Sequence, residues 1–179
     1  MGSVGHRHTD PACAAAHGDA PEPAGTRTLV AVFDSPVAAH LLHFARDLGY
    51  RTVLVEPDLG LVADGAHGGP ARLASSVDPS FADHDADVVV TDHDRPELGA
   101  LLYAALQTPA RWIGVMGSPR HTAPHVAALR ELGVDEAGLA RVHRPIGLNI
   151  GSRTPAEIAV ATLAGLIADR NRRPGGFSF

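Results

Sequence analysis

Lysine is absent: all 15 basic residues of this 179-residue chain are arginine. A Schiff-base lysine and the phosphate-binding lysine of a P-loop are thereby excluded. Cysteine occurs once, at Cys13, so no internal disulfide can form and no cysteine pair can hold zinc. That usage suits a protein of the reducing cytoplasm. Aromatic residues are 4% of the chain and the formal net charge is -5, which leaves neither stacking platforms nor a basic footprint for nucleic acid. The longest uncharged apolar run, Ile158 to Ala168, falls short of the ~18 to 20 residues of a bilayer span. Residues 1–25 carry acids, prolines and histidines where a signal peptide would carry its apolar stretch. Neither a membrane nor export is expected.

What the chain does have is 45% hydrophobic residues, enough for one domain whose core buries roughly 70% of the unfolded surface. Residues 1–25 mix small, polar and proline residues without period and read as a disordered tail. The folded domain is expected over residues 26–171, with a short flexible tail over 172–179. It opens on Leu29-Val30-Ala31-Val32-Phe33, an apolar run typical of a strand covered on both faces. Ser35-Pro36 then opens a helix with Val37, Leu41, Phe44 and Leu48 on one face, and Arg51 to Glu56 makes a second strand. A short strand is expected near Ala71 to Ala74, and further strands at Asp87 to Thr91 and Trp112 to Met116. Helices are expected from about Pro96 to Gln107, from Ser118-Pro119 to Gly133, over Asp135 to Val142, and from Thr154-Pro155 to about Arg170. This alternation predicts an α/β fold: a Rossmann-like, doubly wound, mostly parallel sheet with helices on both faces.

Ligands of such sheets sit at the carboxyl ends of the strands, and the candidate residues are those the pattern places there. Ser35, Ser118 and Thr154 each precede a proline, so three capped helix tips are expected to converge on one crevice and attract an anion. Ser118 and Arg120 can offer a hydroxyl, an amide and a guanidinium fork to one phosphate. His93 and Asp94 follow a buried strand, where an imidazole can bond a ligand; both also suit a turn. Gly117, Gly147 and Asn149 lie in turns that allow close backbone approach. Glu56, ending the second strand, stands where an acid would hold a ribose hydroxyl, and Asp34 and Ser35 occupy the first turn. His121 and His125, four apart, read as a hydrated helix face, since no third zinc ligand accompanies them. Cys13 with His6, His8 and His17 gives no more than an adventitious metal cluster.

Three linked stretches go beyond pattern: Ile113 to Arg120 (IGVMGSPR), His143 to Gly151 (HRPIGLNIG) and Thr154 to Ala159 (TPAEIA). With Val88-Val89-Val90 leading to His93-Asp94, they resemble the carboxyl-terminal Rossmann domain of the XdhC/CoxI family over roughly Leu29 to Arg170. The resemblance implies an accessory factor for xanthine or carbon monoxide dehydrogenase. Such a factor binds molybdenum cofactor, a phosphate-bearing pterin, and hands it to the molybdenum hydroxylase, commonly as a homodimer and without turnover of its own. Relatives carry a first turn reading roughly Gly-Ala-Gly-His-Val-Ala, where this chain has Phe33-Asp34-Ser35-Pro36-Val37-Ala38. Loss of all three glycines argues against NAD(P) at this turn. Two alternatives stay open: a ligand-free interaction module of the same family, and an NAD(P)-dependent oxidoreductase using the same crevice.

Overall fold

The computed structural model describes residues 27–62, 72–118 and 123–176. The expected tail, the cluster around Cys13, and Pro119, Arg120 and His121 therefore lie outside the described residues. In order, the elements are β1 (Thr28–Val32), α1 (Pro36–Asp47), β2 (Arg51–Val55), β3 (Arg72–Ala74), β4 (Ala86–Val90) and α2 (Leu98–Leu106). They continue with β5 (Trp112–Val115), α3 (Pro124–Glu131), α4 (Glu136–Ala140), β6 (Val142–His143) and α5 (Pro155–Arg170). The six strands form one sheet of order β3-β2-β1-β4-β5-β6, and every pairing is parallel.

Parallel central strands are buried on both faces, so β1 and β4 read as continuous apolar runs whose alternate residues enter two separate cores. Val30, Val32, Val88 and Val90 point to the face covered by Leu101 and Leu102 of α2 and Leu129 of α3. Leu29, Ala31 and Val89 point to the opposite face, against Leu41 and Leu42 of α1 and Leu163 and Leu166 of α5. Each fully buried Leu or Val contributes roughly 1.5–3 kcal/mol relative to exposure.

Two helix starts follow the expected chemistry. The Ser35 side chain accepts from the Ala38 amide at 3.0 Å, and α5 opens with a complete capping box between Thr154 and Glu157. The expected start at Ser118-Pro119 runs into residues 119–122, outside the described residues; the described helix α3 begins at Pro124, with Ala123 as its N-cap and no side-chain capping bond. A helix begun at Ser118 would carry Pro124 in its interior, where proline removes an amide and collides with the preceding turn. Among the described residues no helix is long and apolar enough to cross a membrane.

Candidate functional site

The strand order reverses between β1 and β4, which makes the turn after β1 the expected ligand crevice. That crevice is filled by the protein itself. Phe33 is fully buried with φ of +72°, so a phenylalanine holds the left-handed conformation that glycine adopts freely. The Arg95 guanidinium lies over its ring at 4.7 Å and donates to both carboxylate oxygens of Glu56, at 2.9 and 3.3 Å. Glu56 is fully buried and also accepts from the backbone amides of Asp34, at 3.0 Å, and Asp58, at 3.1 Å. Hydrogen bonding to Glu56, above all, pushes the Arg95 pKa above its ordinary value, so the guanidinium over Phe33 stays charged.

The expected role of Glu56 is therefore corrected: its oxygens are committed internally, with none left for a ribose hydroxyl. Ser35 is likewise turned inward, its hydroxyl donating to Thr91 Oγ1 at 3.0 Å, while the Thr91 hydroxyl reaches the Val32 and Phe33 carbonyl oxygens at 3.0 Å each. Thr91 thus stitches the ends of β1 and β4 together. Asp34 stands at this closed turn, half-buried.

Open space lies one strand further along. A cavity of about 780 Å³ opens beyond the carboxyl end of β5, bounded by Met116, Gly117 and Ser118, by the 145–153 loop, and by Ile158, Ala161 and Thr162 of α5. Its volume falls within the ~300–1,000 Å³ of small-molecule sites. Glycine brings the loop against the helix. Gly147 has φ of +83°, a Cβ there would meet the Ala161 backbone at 3.1 Å, and the Leu148 amide donates to the Ala161 carbonyl at 3.0 Å. Asn149 is exposed on this wall, and Arg153 lies at the rim with no partner for its side chain among the described residues.

Of the expected site residues, Gly117, Ser118, Gly147 and Asn149 come together around this cavity. Asp34, Ser35 and Glu56 belong to the closed crevice instead. Asp94 is largely exposed in an Asx turn, its amide donating to Asp92 Oδ1 at 2.9 Å, and its carboxylate stands 3.7 Å from His93 Nε2. Of the three expected tips, Ser35 caps α1 and Thr154 caps α5, while the one at Ser118-Pro119 runs into residues outside the described ones.

Two residues that spacing alone did not single out stand beside the Gly117–Ser118 wall. Arg144 donates from Nη2 to the Ser118 carbonyl at 3.1 Å and lies so close to Gly117 that a Cβ there would come within 2.7 Å of its Nε. Its Nε is buried without a hydrogen-bond partner. His125, expected on a hydrated face, is instead 5% exposed on α3, and its Nδ1 is buried and unpartnered. Burial, then the neighbouring Arg144 guanidinium and the His93 side chain, lower its pKa and favour the neutral imidazole. The signal that could have found it is Pro124, which places His125 in the first turn of a late-starting helix.

A fully parallel sheet of this order, with its first turn closed and a cavity at the end of β5, defines a Rossmann-type domain whose open space is displaced from the dinucleotide position. Residues 29–166 match the model of the XdhC Rossmann domain, and the chain belongs to that family. It is 38% identical over 89 residues to the uncharacterized protein YqeB of Escherichia coli (strain K12), covering 50% of this chain and 16% of that one. A solved structure from Bacillus halodurans, described as a xanthine dehydrogenase, shares the fold with a TM-score of 0.65 and 22% identity. That likeness covers 82% of this chain and 45% of the other. The chain thus spans less than half the length of either protein.

Proposed function

We propose that this domain is a cofactor-carrying accessory factor that binds molybdenum cofactor in the β5–α5 cavity and passes it to a molybdenum hydroxylase of the xanthine or carbon monoxide dehydrogenase type. Family membership supports the accessory role. The observation that carries the ligand is the cavity itself: about 780 Å³ at the ligand edge of the sheet, lined by the end of β5, the 145–153 loop and α5, with Arg153 at its rim. The residues present suit a phosphate-bearing pterin, because Asn149 and the backbone of the 145–153 loop offer polar groups to the ring while Arg153 supplies positive charge to the phosphate. The cofactor's redox chemistry belongs to the client enzyme; here the cofactor is cargo, and the chain's part is to hold it and exclude water. The closed first turn, with Glu56 and Arg95 bound to each other, weighs against an NAD(P)-dependent oxidoreductase.

The test is to purify the protein from a molybdopterin-producing host, denature and oxidise it with iodine, and measure pterin fluorescence. Retained pterin is expected, with Arg153→Glu lowering retention about tenfold or more, as for loss of a charge-assisted bond of ~1.5–3 kcal/mol. No pterin in the wild-type protein, and no uptake on titration, would leave the interaction module as the better reading. We also propose that the carrier works as a homodimer, to be read by light scattering of the purified chain.

A further inference from the structure

The cavity beyond β5 has a closed end and a mouth of different chemistry. Its most buried lining residues come from the end of β5 and from α5: Met116 is 8% exposed, Ala161 5% and Thr162 2%. The mouth is formed by exposed loop residues, among them Asn149 and Arg153. Arg153 alone is charged among the described lining residues, in a chain whose formal net charge is -5. At the closed end the polar side chain is that of Thr162, whose hydroxyl has no hydrogen-bond partner among the described residues. Nor is it sealed, as the unpartnered Tyr50 hydroxyl is. Thr162 also borders a second cavity of about 260 Å³, which shares the 145–148 turn and reaches Trp112.

We propose that the ligand enters this cavity ring first, a polar edge of its heterocycle bonded to the Thr162 hydroxyl and its anionic end held at the mouth by Arg153. The pterin as ligand rests on the carrier reading above; the orientation rests on where the two polar groups stand. A phosphate at the closed end would lose its water with no cation to replace it, a heavy cost for a charged group. A flat ring there meets the apolar side chains of Ile146, Leu148 and Ile158 instead. A threonine hydroxyl both donates and accepts, so it suits the mixed donor and acceptor edge of a pterin. Asn149, exposed at the mouth, is left to the outer edge of the ring.

The experiment titrates the full chain with two fluorescent probes, hydroxymethylpterin and its phosphate ester, and follows pterin anisotropy together with quenching of Trp112, the single tryptophan. Both probes are expected to bind saturably, the ester more tightly. Thr162→Val loses the hydroxyl and is expected to weaken both about threefold or more, as for one missing hydrogen bond, with Thr162→Ser recovering most of the loss. Arg153→Gln is expected to weaken the ester about tenfold or more, and several times more than it weakens the bare pterin. If Thr162→Val does not fold, the Arg153 comparison and a competition with inorganic phosphate still decide, since phosphate is expected to leave the bare pterin bound. No binding of either probe, unchanged affinities in Thr162→Val, equal losses in Arg153→Gln, or displacement of bare pterin by phosphate would overturn the orientation. Cofactor retention from the producing host, measured in parallel, separates the two claims. Retention undiminished in Thr162→Val removes the orientation and leaves the carrier, whereas probe binding with the expected variant pattern and no retained cofactor leaves the orientation standing and removes the carrier reading.

Discussion

At position 33 a phenylalanine holds φ of +72°, a backbone conformation that costs an L-residue roughly 1–2 kcal/mol. The ring is fully buried beneath Arg95, and its packing outweighs the strain. Phe33→Gly relieves the backbone but forfeits burial worth roughly 3–5 kcal/mol on truncation, so a net loss of about 1–4 kcal/mol is expected in urea unfolding. A gain in stability would show that the strain dominates. The absence of glycine at this turn was legible in the sequence. That the vacated space is filled by Arg95, thirty-nine residues from Glu56, was not, because the pair exists only once β2 and the segment after β4 lie side by side.

Helix α5 shows what local chemistry can decide. Its capping box closes within four residues, the Glu157 carboxylate accepting from the Arg153 and Thr154 amides at 2.6 and 3.2 Å. Those bonds hold the Glu157 pKa below the ordinary glutamate value. A depressed carboxylate contributes stability that is full above the unfolded pKa and is lost as pH falls through the lower folded one. The stability advantage of wild type over Glu157→Gln is therefore expected to be constant near neutrality, to begin falling near about pH 4.3 and to vanish only below the lower folded pKa, read by thermal melts across pH. An advantage independent of pH would refute this. Helix α3 has no such box: it begins at Pro124 with Ala123 as its N-cap and no side-chain capping bond, and the burial of Leu129 against the sheet places it.

For the whole molecule, the end of the sheet away from the cavity is clamped by charge. Asp87 on β4 is fully buried between Arg111, at 2.7 Å, and Arg170 at the end of α5, at 3.1 Å; Arg111 also meets Asp169 at 2.6 Å. Arg170 reaches Asp85 as well, at 3.4 Å. The last helix, which walls the cavity at its start, is thus tied to the central strand at its finish. Asp87→Ala leaves two arginines without their shared partner and is expected to cost about 3–5 kcal/mol in chemical denaturation. A change under about 1 kcal/mol would mean the network is replaceable by solvent.

The sequence by itself determined β1 to β5, the helix faces, the parallel class of the sheet and the capped starts of α1 and α5, but not β6, whose Val142 stood at the end of an expected helix. All of these follow from period, propensity and bonds between residues a few positions apart. Only the tertiary structure decided where a ligand has room. Closing the first turn took Phe33, Glu56, Thr91 and Arg95 from four separate segments, and opening the cavity took the end of β5, the 145–153 loop and α5. Exposure, an unpaired charge and a void are properties of distant groups brought together, and no local pattern encodes them.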